Sequence, residues 1–214
     1  MNRKFEKLVF AALLFLIGST GAFAQSISGS PHDLSFGSGS GVTGETTSLC
    51  VYCHTPHNGG VSAAPLWNRI DSTETFLMYN NAFSSSIDNA VALFPQGVSA
   101  GCLSCHDGIT LFNNVDEPPA VGLLQPDNTV GTVNAKALIG TDLRNDHPIS
   151  ITFGGADPDF NTLASVQASS IRLFGLTDDQ VECASCHNPH DTANAPFLRI
   201  PNTGSAICTT CHDK

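Results

Sequence analysis

The chain has 214 residues, nine Lys and Arg against nineteen Asp and Glu, and a formal net charge of −10. That balance excludes nucleic acid and anionic lipid as main partners, because basic side chains supply most of the affinity for both. It favours a cationic partner, or a like-charged copy held by something stronger than charge.

Residues 1–24 read as a signal peptide. Arg3, Lys4 and Lys7 form a basic start, Leu8 to Ile17 is a short apolar run, and Ala22-Phe23-Ala24 is a small-x-small cleavage site. The run is too short for a permanent anchor, and no later segment suggests a membrane span. An exported protein beginning at Gln25 is expected, with six basic and eighteen acidic residues and a net charge of −12. Its expected address is extracellular or cell-surface, with the periplasm as the alternative.

Every cysteine then falls in one of four Cys-x-x-Cys-His motifs: Cys50–His54, Cys102–His106, Cys183–His187 and Cys208–His212. This is the attachment signature of c-type haem. Two thiols, Cys50 with Cys53, Cys102 with Cys105, Cys183 with Cys186 and Cys208 with Cys211, bond covalently to one haem edge. The next residue, His54, His106, His187 or His212, offers its imidazole to the iron as proximal ligand. Paired zinc sites would leave the His after each pair unexplained. Four covalent haems need eight axial ligands, and the chain has eight histidines. His32, His57, His147 and His190 are therefore the distal candidates, although a lone His is more often a solvated side chain. Met78, the one methionine after residue 24, reads as core. Asp157 and Asp159 read as a solvated turn rather than a calcium site.

The elements expected along the chain are short. Gly, Pro, Ser, Asn and Asp punctuate it throughout, so loops and turns dominate. Gly108 is placed to stop a helix carrying Cys102 to His106. Thr129 to Val133 is a weak strand candidate, and Ile149 to Phe153 alternates like a strand. Thr177 to Gln180 resembles a capping box opening a helix into Cys183. The stretch from Asp107 to Glu182 holds no haem motif and is expected to form a small β region or to wrap the haems.

The order of landmarks repeats. His32, Cys50–His57, Ala64-Pro65 and Cys102–Asp107 are matched by His147, Cys183–His190, Ala195-Pro196 and Cys208–Asp213. Two duplicated dihaem halves, about 25–113 and 140–214, within one domain of 25–214, explain this. The expected fold is a multihaem cytochrome c fold: mostly loops, short helices around four haems, a few short strands, and haems as the core. Such a chain is not expected to fold without its haems.

His57 follows His54 by three residues, and His190 follows His187 by three. In a helical turn both imidazoles of each pair lie on the proximal side of the local haem. His57 and His190 must then serve other haems. The first expectation sends His57 to the haem on Cys102 and Cys105, and His190 to the haem on Cys208 and Cys211. The alternative is a reciprocal swap, with His57 on the haem of Cys183 and Cys186, and His190 on the haem of Cys50 and Cys53. Filling every iron with two imidazoles leaves no substrate position, which favours electron transfer over a multihaem oxidoreductase.

The strings Cys-His-Thr-Pro-His-Asn58, Pro65-Leu-Trp-Asn68, Asn145-Asp-His-Pro-Ile-Ser150 and Val181-Glu-Cys-Ala-Ser-Cys-His187, with the terminal Cys-x-x-Cys-His-Asp-Lys, resemble the tetrahaem cytochromes of the OmcE type. That resemblance implies four bis-His haems and, as in the type member, extracellular filaments with haems stacked along the axis. A copy of itself, other redox proteins and extracellular electron acceptors are the implied partners. The alternative is a soluble periplasmic tetrahaem shuttle. His32, on a short polar N-terminal segment, reads as an arm that ligates a neighbour's haem head to tail, or as a ligand within its own chain.

Overall fold

The computed structural model describes residues 26–42, 44–60, 64–114, 129–130, 134–154 and 157–213. The signal segment, residues 131–133 of the weak strand candidate and residues 115–128 of the long connection lie outside them.

Loops dominate, as expected, and three of the four α-helices among the described residues sit on the motifs. Helix α1 spans Gly97–His106, α2 Leu163–Gln167, α3 Cys183–Cys186 and α4 Ala206–Thr209. The second motif occupies the end of α1, the third is α3 itself, and the fourth begins on α4. The first closes a single turn, with the His54 N–H on the Cys50 carbonyl at 2.8 Å. The same bond recurs from His187 to Cys183 at 3.1 Å and from His212 to Cys208 at 2.9 Å. Residues i, i+3 and i+4 of one helical turn share a face, so each motif presents two sulfurs and an imidazole together. Gly108, with φ +77°, ends α1 in the left-handed region that costs glycine least.

Strand β1, Ile151–Thr152, pairs antiparallel with β2, Gln180–Val181, with Ile151 opposite Val181. The alternation at Ile149–Phe153 thus forms a strand, though a short one. Thr177–Gln180 does not open a helix. Gly175 and Asp178 both have positive φ, and the Gln180 N–H returns to the Phe174 carbonyl at 2.8 Å, which turns the chain into β2. The helix starts five residues later at Glu182, whose N–H donates to Ser185 Oγ at 2.9 Å. Pairing with β1 requires an extended chain where a capping box needs a helical one.

The apolar core among the described residues is three small clusters. They are Val42, Tyr52, Phe112 and Val130; Phe153, Val166, Ile171 and Leu173; and Met78, Leu103 and Leu143. Met78 is core, as read. Large side chains such as Phe36, Leu93, Phe94 and Leu176 remain exposed. This is the architecture of a small multihaem cytochrome whose core depends on its haems. Among the described residues no helix is long and apolar enough to cross a membrane.

Candidate haem sites

The two Cys-His-x-Pro-His segments are built alike. His54 Nδ1 donates to the Pro65 carbonyl and His187 Nδ1 to the Pro196 carbonyl, each at 2.9 Å. Thr55 N–H meets the Leu66 carbonyl at 2.9 Å, and Asn188 N–H meets that of Phe197 at 2.7 Å. Asn68 and Arg199 return to the Cys53 and Cys186 carbonyls, both at 2.9 Å. Leu66 and Phe197 share the positive φ that makes this return possible, at 56° and 61°. His106 Nδ1 likewise donates to the Ala137 carbonyl at 2.7 Å. Tying Nδ1 to a carbonyl puts the lone pair on Nε2, the state in which an imidazole binds a metal.

The helical turn expected to carry both histidines of each segment is absent. His187 has extended φ and ψ of −108° and 138°. His54 and His187 instead form single antiparallel bridges with Trp67 and Leu198, and the prolines push the residues just before them, Thr55 and Asn188, out of the helical region.

Three motif histidines each meet a histidine from outside the motifs. His54 and His190 have ring centres 6.1 Å apart, His106 and His32 6.1 Å, and His212 and His147 6.3 Å. With metal–nitrogen bonds of about 2.0–2.1 Å on both faces, two imidazoles sharing one iron have ring centres roughly 6 Å apart. Aromatic rings meet at such distances without a metal too. The fit to haem lies in the pattern: each pair joins one motif His to one outside His. Trp67 Nε1 adds a second sign of fit, being buried beside His54 with no acceptor among the described residues. Among the described residues no three His, Cys, Asp or Glu side chains gather as metal ligands.

His190 therefore meets the first motif's histidine and not the fourth's. This ring contact is that of the reciprocal alternative and not of the first expectation for His190. His57 lies exposed on the first segment and stacks on no other ring among the described residues. His147 donates from Nδ1 to the Pro148 carbonyl at 2.9 Å.

His32 is not on a loose segment. Asp33 accepts from the Gly29 N–H at 2.8 Å and from Ser35 Oγ at 2.5 Å, which knots the backbone on either side. The His32 ring stacks on Phe197 at 4.5 Å and is hydrogen-bonded to the Pro189 carbonyl. Burial, then His106, pulls its imidazole down to about 4. Burial, then His54, lowers His190. Both are neutral at pH 7, the form that binds a metal. Phe197 carries no local mark as a platform, since it reads as one aromatic among thirteen Phe.

The motifs also touch one another. Cys102 and Cys183 are hydrogen-bonded thiol to thiol. Burial pushes Cys53 up to about 12, and Cys105 adds to that. Burial raises Cys186, and Cys208 adds to it. A polar bracket joins α1 to α3. Ser99 Oγ and Ser150 Oγ donate to Glu182 Oε2 at 2.5 and 2.9 Å, and Ser99 Oγ accepts from the Cys183 N–H at 2.9 Å. Burial raises the Glu182 carboxyl above its ordinary 4.5, against those hydrogen bonds. A carboxyl raised in the folded state contributes stability that is complete below its unfolded value and is lost as pH rises through its folded value. The Glu182 contribution thus weakens the fold as pH rises above about 4.5, while the lowered His32 and His190 work the other way, and Glu182→Gln is expected to gain thermal stability relative to the parent as pH rises through this range.

A family model described as the doubled CXXCH motif matches residues 176–214. No curated protein matches the chain. The doubled motif indicates a multihaem c-type cytochrome, with covalently bound haem c and a role in electron transfer.

Proposed function

We propose that four haems are held by four histidine pairs, and that the chain is an electron-transfer protein of the OmcE type rather than an enzyme. The observation that carries this is the meeting of His54 with His190, His106 with His32 and His212 with His147 at 6.1 to 6.3 Å. By elimination and by the likeness of the two Cys-His-x-Pro-His segments, His57 pairs with His187. Bound haem c supplies an iron that takes up and gives back one electron. The residues do the rest. Eight thiols would hold four haems and eight imidazoles would supply two ligands to each iron, leaving no position for substrate. Two histidines on one iron, without methionine, favour a low potential. Cys102 lies against Cys183, and Cys53 with Cys105 and Cys186 with Cys208 are near enough to act on one another electrostatically, which supports closely spaced sites.

A duplicated dihaem unit accounts for the matched hydrogen bonds of the two segments. Export by residues 1–24 and assembly outside the cell, with the chain's own copies as partners, complete the reading. The arm version of His32 takes a modified form. The Ser35–Gly41 stretch alternates Gly and Ser after Phe36, with Gly37, Gly39 and Gly41 all at positive φ. It is closed as a loop by the Phe36 N–H on the Thr46 carbonyl and the Gly44 N–H on the Leu34 carbonyl, each at 2.7 Å, so making the His106 contact on a neighbouring copy requires these bonds to open. Head-to-tail exchange of this kind gives an open filament when its rotation does not close. Electron microscopy of material shed by the producing cells is expected to show filaments built of this chain. Single molecules only, at every concentration, would leave the soluble shuttle.

A further inference from the structure

Arg69 is a charged side chain where a cytochrome has least reason to bury one. It is 3% exposed. Its guanidinium donates to the Phe112 carbonyl at 2.7 Å, the Leu111 carbonyl at 3.0 Å, the Ser104 carbonyl at 3.1 Å and Ser104 Oγ at 3.3 Å. None of these partners carries charge. The ion pair among the described residues is Arg144 with Asp142, at the surface. Asp107 is buried nearby but is satisfied by its own loop, through Ile109 N–H, Thr110 and Ser72. The guanidinium carries its positive charge, as arginine does throughout proteins. Burying a charge without a counter-ion is costly, so a role for it is worth seeking.

Its place supplies one. Ser104 lies inside the second motif, between Cys102 and Cys105. The residue before Arg69 holds the first motif: Asn68 N–H donates to the Cys53 carbonyl at 2.9 Å, and Asn68 Nδ2 to the Val51 carbonyl at 2.7 Å. Two consecutive residues thus bridge both motifs of the first half, with a fixed cation between them. Arg69 acts electrostatically on Cys53 and on Cys105, one cysteine of each motif. In the second half Arg199 stands where Asn68 stands in the first, and its Nε donates to the Ala184 carbonyl at 2.7 Å, but that side chain is only half-buried. Water screens a charge there that it cannot reach at Arg69.

We propose that Arg69 is a tuning residue that holds the haems of the first and second motifs at higher reduction potential than their ligands alone would give. This rests on the motifs carrying haem. Adding an electron lowers the positive charge on an iron centre by one, so a buried cation nearby favours the reduced form. Local charge is among the factors that set the potential of such centres. The proton count does not change, because Arg69 keeps its charge.

The test is a spectroelectrochemical titration of the haem-loaded protein. Arg69→Gln is expected to lower two of the four midpoints, each by about tenfold in the reduced-to-oxidised ratio, or about 59 mV for one electron. Arg69→Lys, which keeps the charge, is expected to restore most of that loss. Arg144→Gln is expected to change none. Leu111→Asp leaves Arg69 in place and sets a carboxylate beside it, from a position 41% exposed. It is expected to lower the same two midpoints, by less, and it decides the matter if the Arg69 variants do not retain haem. Four unchanged midpoints, an equal shift of all four, or equal losses in the Gln and Lys variants would overturn the proposal. A wild-type protein without covalent haem would instead sink the haem reading beneath it.

Discussion

With all eight cysteines replaced by Ser, so that no haem attaches, the chain is expected to be unfolded. Near-ultraviolet dichroism should be featureless and limited proteolysis complete within minutes, while the loaded protein resists. Ordering a residue costs about 1–2 kcal/mol of backbone entropy. A fully buried Val, Leu or Phe returns about 1.5–3 kcal/mol. The clusters around Tyr52, Val166 and Leu103 hold three or four buried side chains each, and the strands are two residues long. They cannot offset the ordering of so many loops. Bound haem discs would supply the missing apolar burial, and Phe36, Leu93 and Phe94 are among the large apolar side chains exposed without them. Folding and haem attachment are then one event, as in small metal-dependent domains. A stable, protease-resistant Ser variant would show that the protein core suffices.

The second large effect concerns single distal histidines. His190→Ala is expected to keep every haem and to convert one iron per chain from low-spin to five-coordinate high-spin. Reduced protein should then bind one equivalent of carbon monoxide, where the parent binds none. His54 is already held by the Pro65 carbonyl, so the proximal bond survives the change. His57→Ala should behave in the same way, although its ring stacks on no other among the described residues. His32→Ala adds information, because its outcome depends on assembly. If His32 serves its own chain, isolated monomers of the parent are fully low-spin. If the knot is exchanged between copies, isolated monomers carry one high-spin iron that becomes low-spin on assembly. A His190→Ala protein without any high-spin signal would break the pairing with His54.

Much of this was legible in the residues. The spacing i, i+3, i+4 of Cys50, Cys53 and His54 dictates a shared face, and every motif closes that turn. Gly108 as a helix stop and Ile151 as a strand residue follow from local chemistry. What local chemistry could not give were the partners across the chain. The pairing of His190 with His54 depends on how two distant turns pack, and both arrangements obey the same spacing. The helical turn assumed for His54 to His57 failed because Pro56 constrains Thr55, a rule that was available. Thr177 to Gln180 has the composition of a capping box, yet β1 claims the next residues as its partner. Arg69 gave no signal: it is one Arg after an Asn, and its burial appears only once α1 and the loop at Leu111 close around it. Asp33 misled as well, since a short polar segment looks mobile until one carboxylate collects its N–H and hydroxyl donors.

The central claim is that imidazoles occupy both faces of every iron. Low-temperature electron paramagnetic resonance of the oxidised, haem-loaded protein tests it most directly. Low-spin ferric signals integrating to four spins per chain, with no high-spin component, are predicted. A high-spin signal from the intact, assembled protein would contradict the account and return the chain to the oxidoreductases.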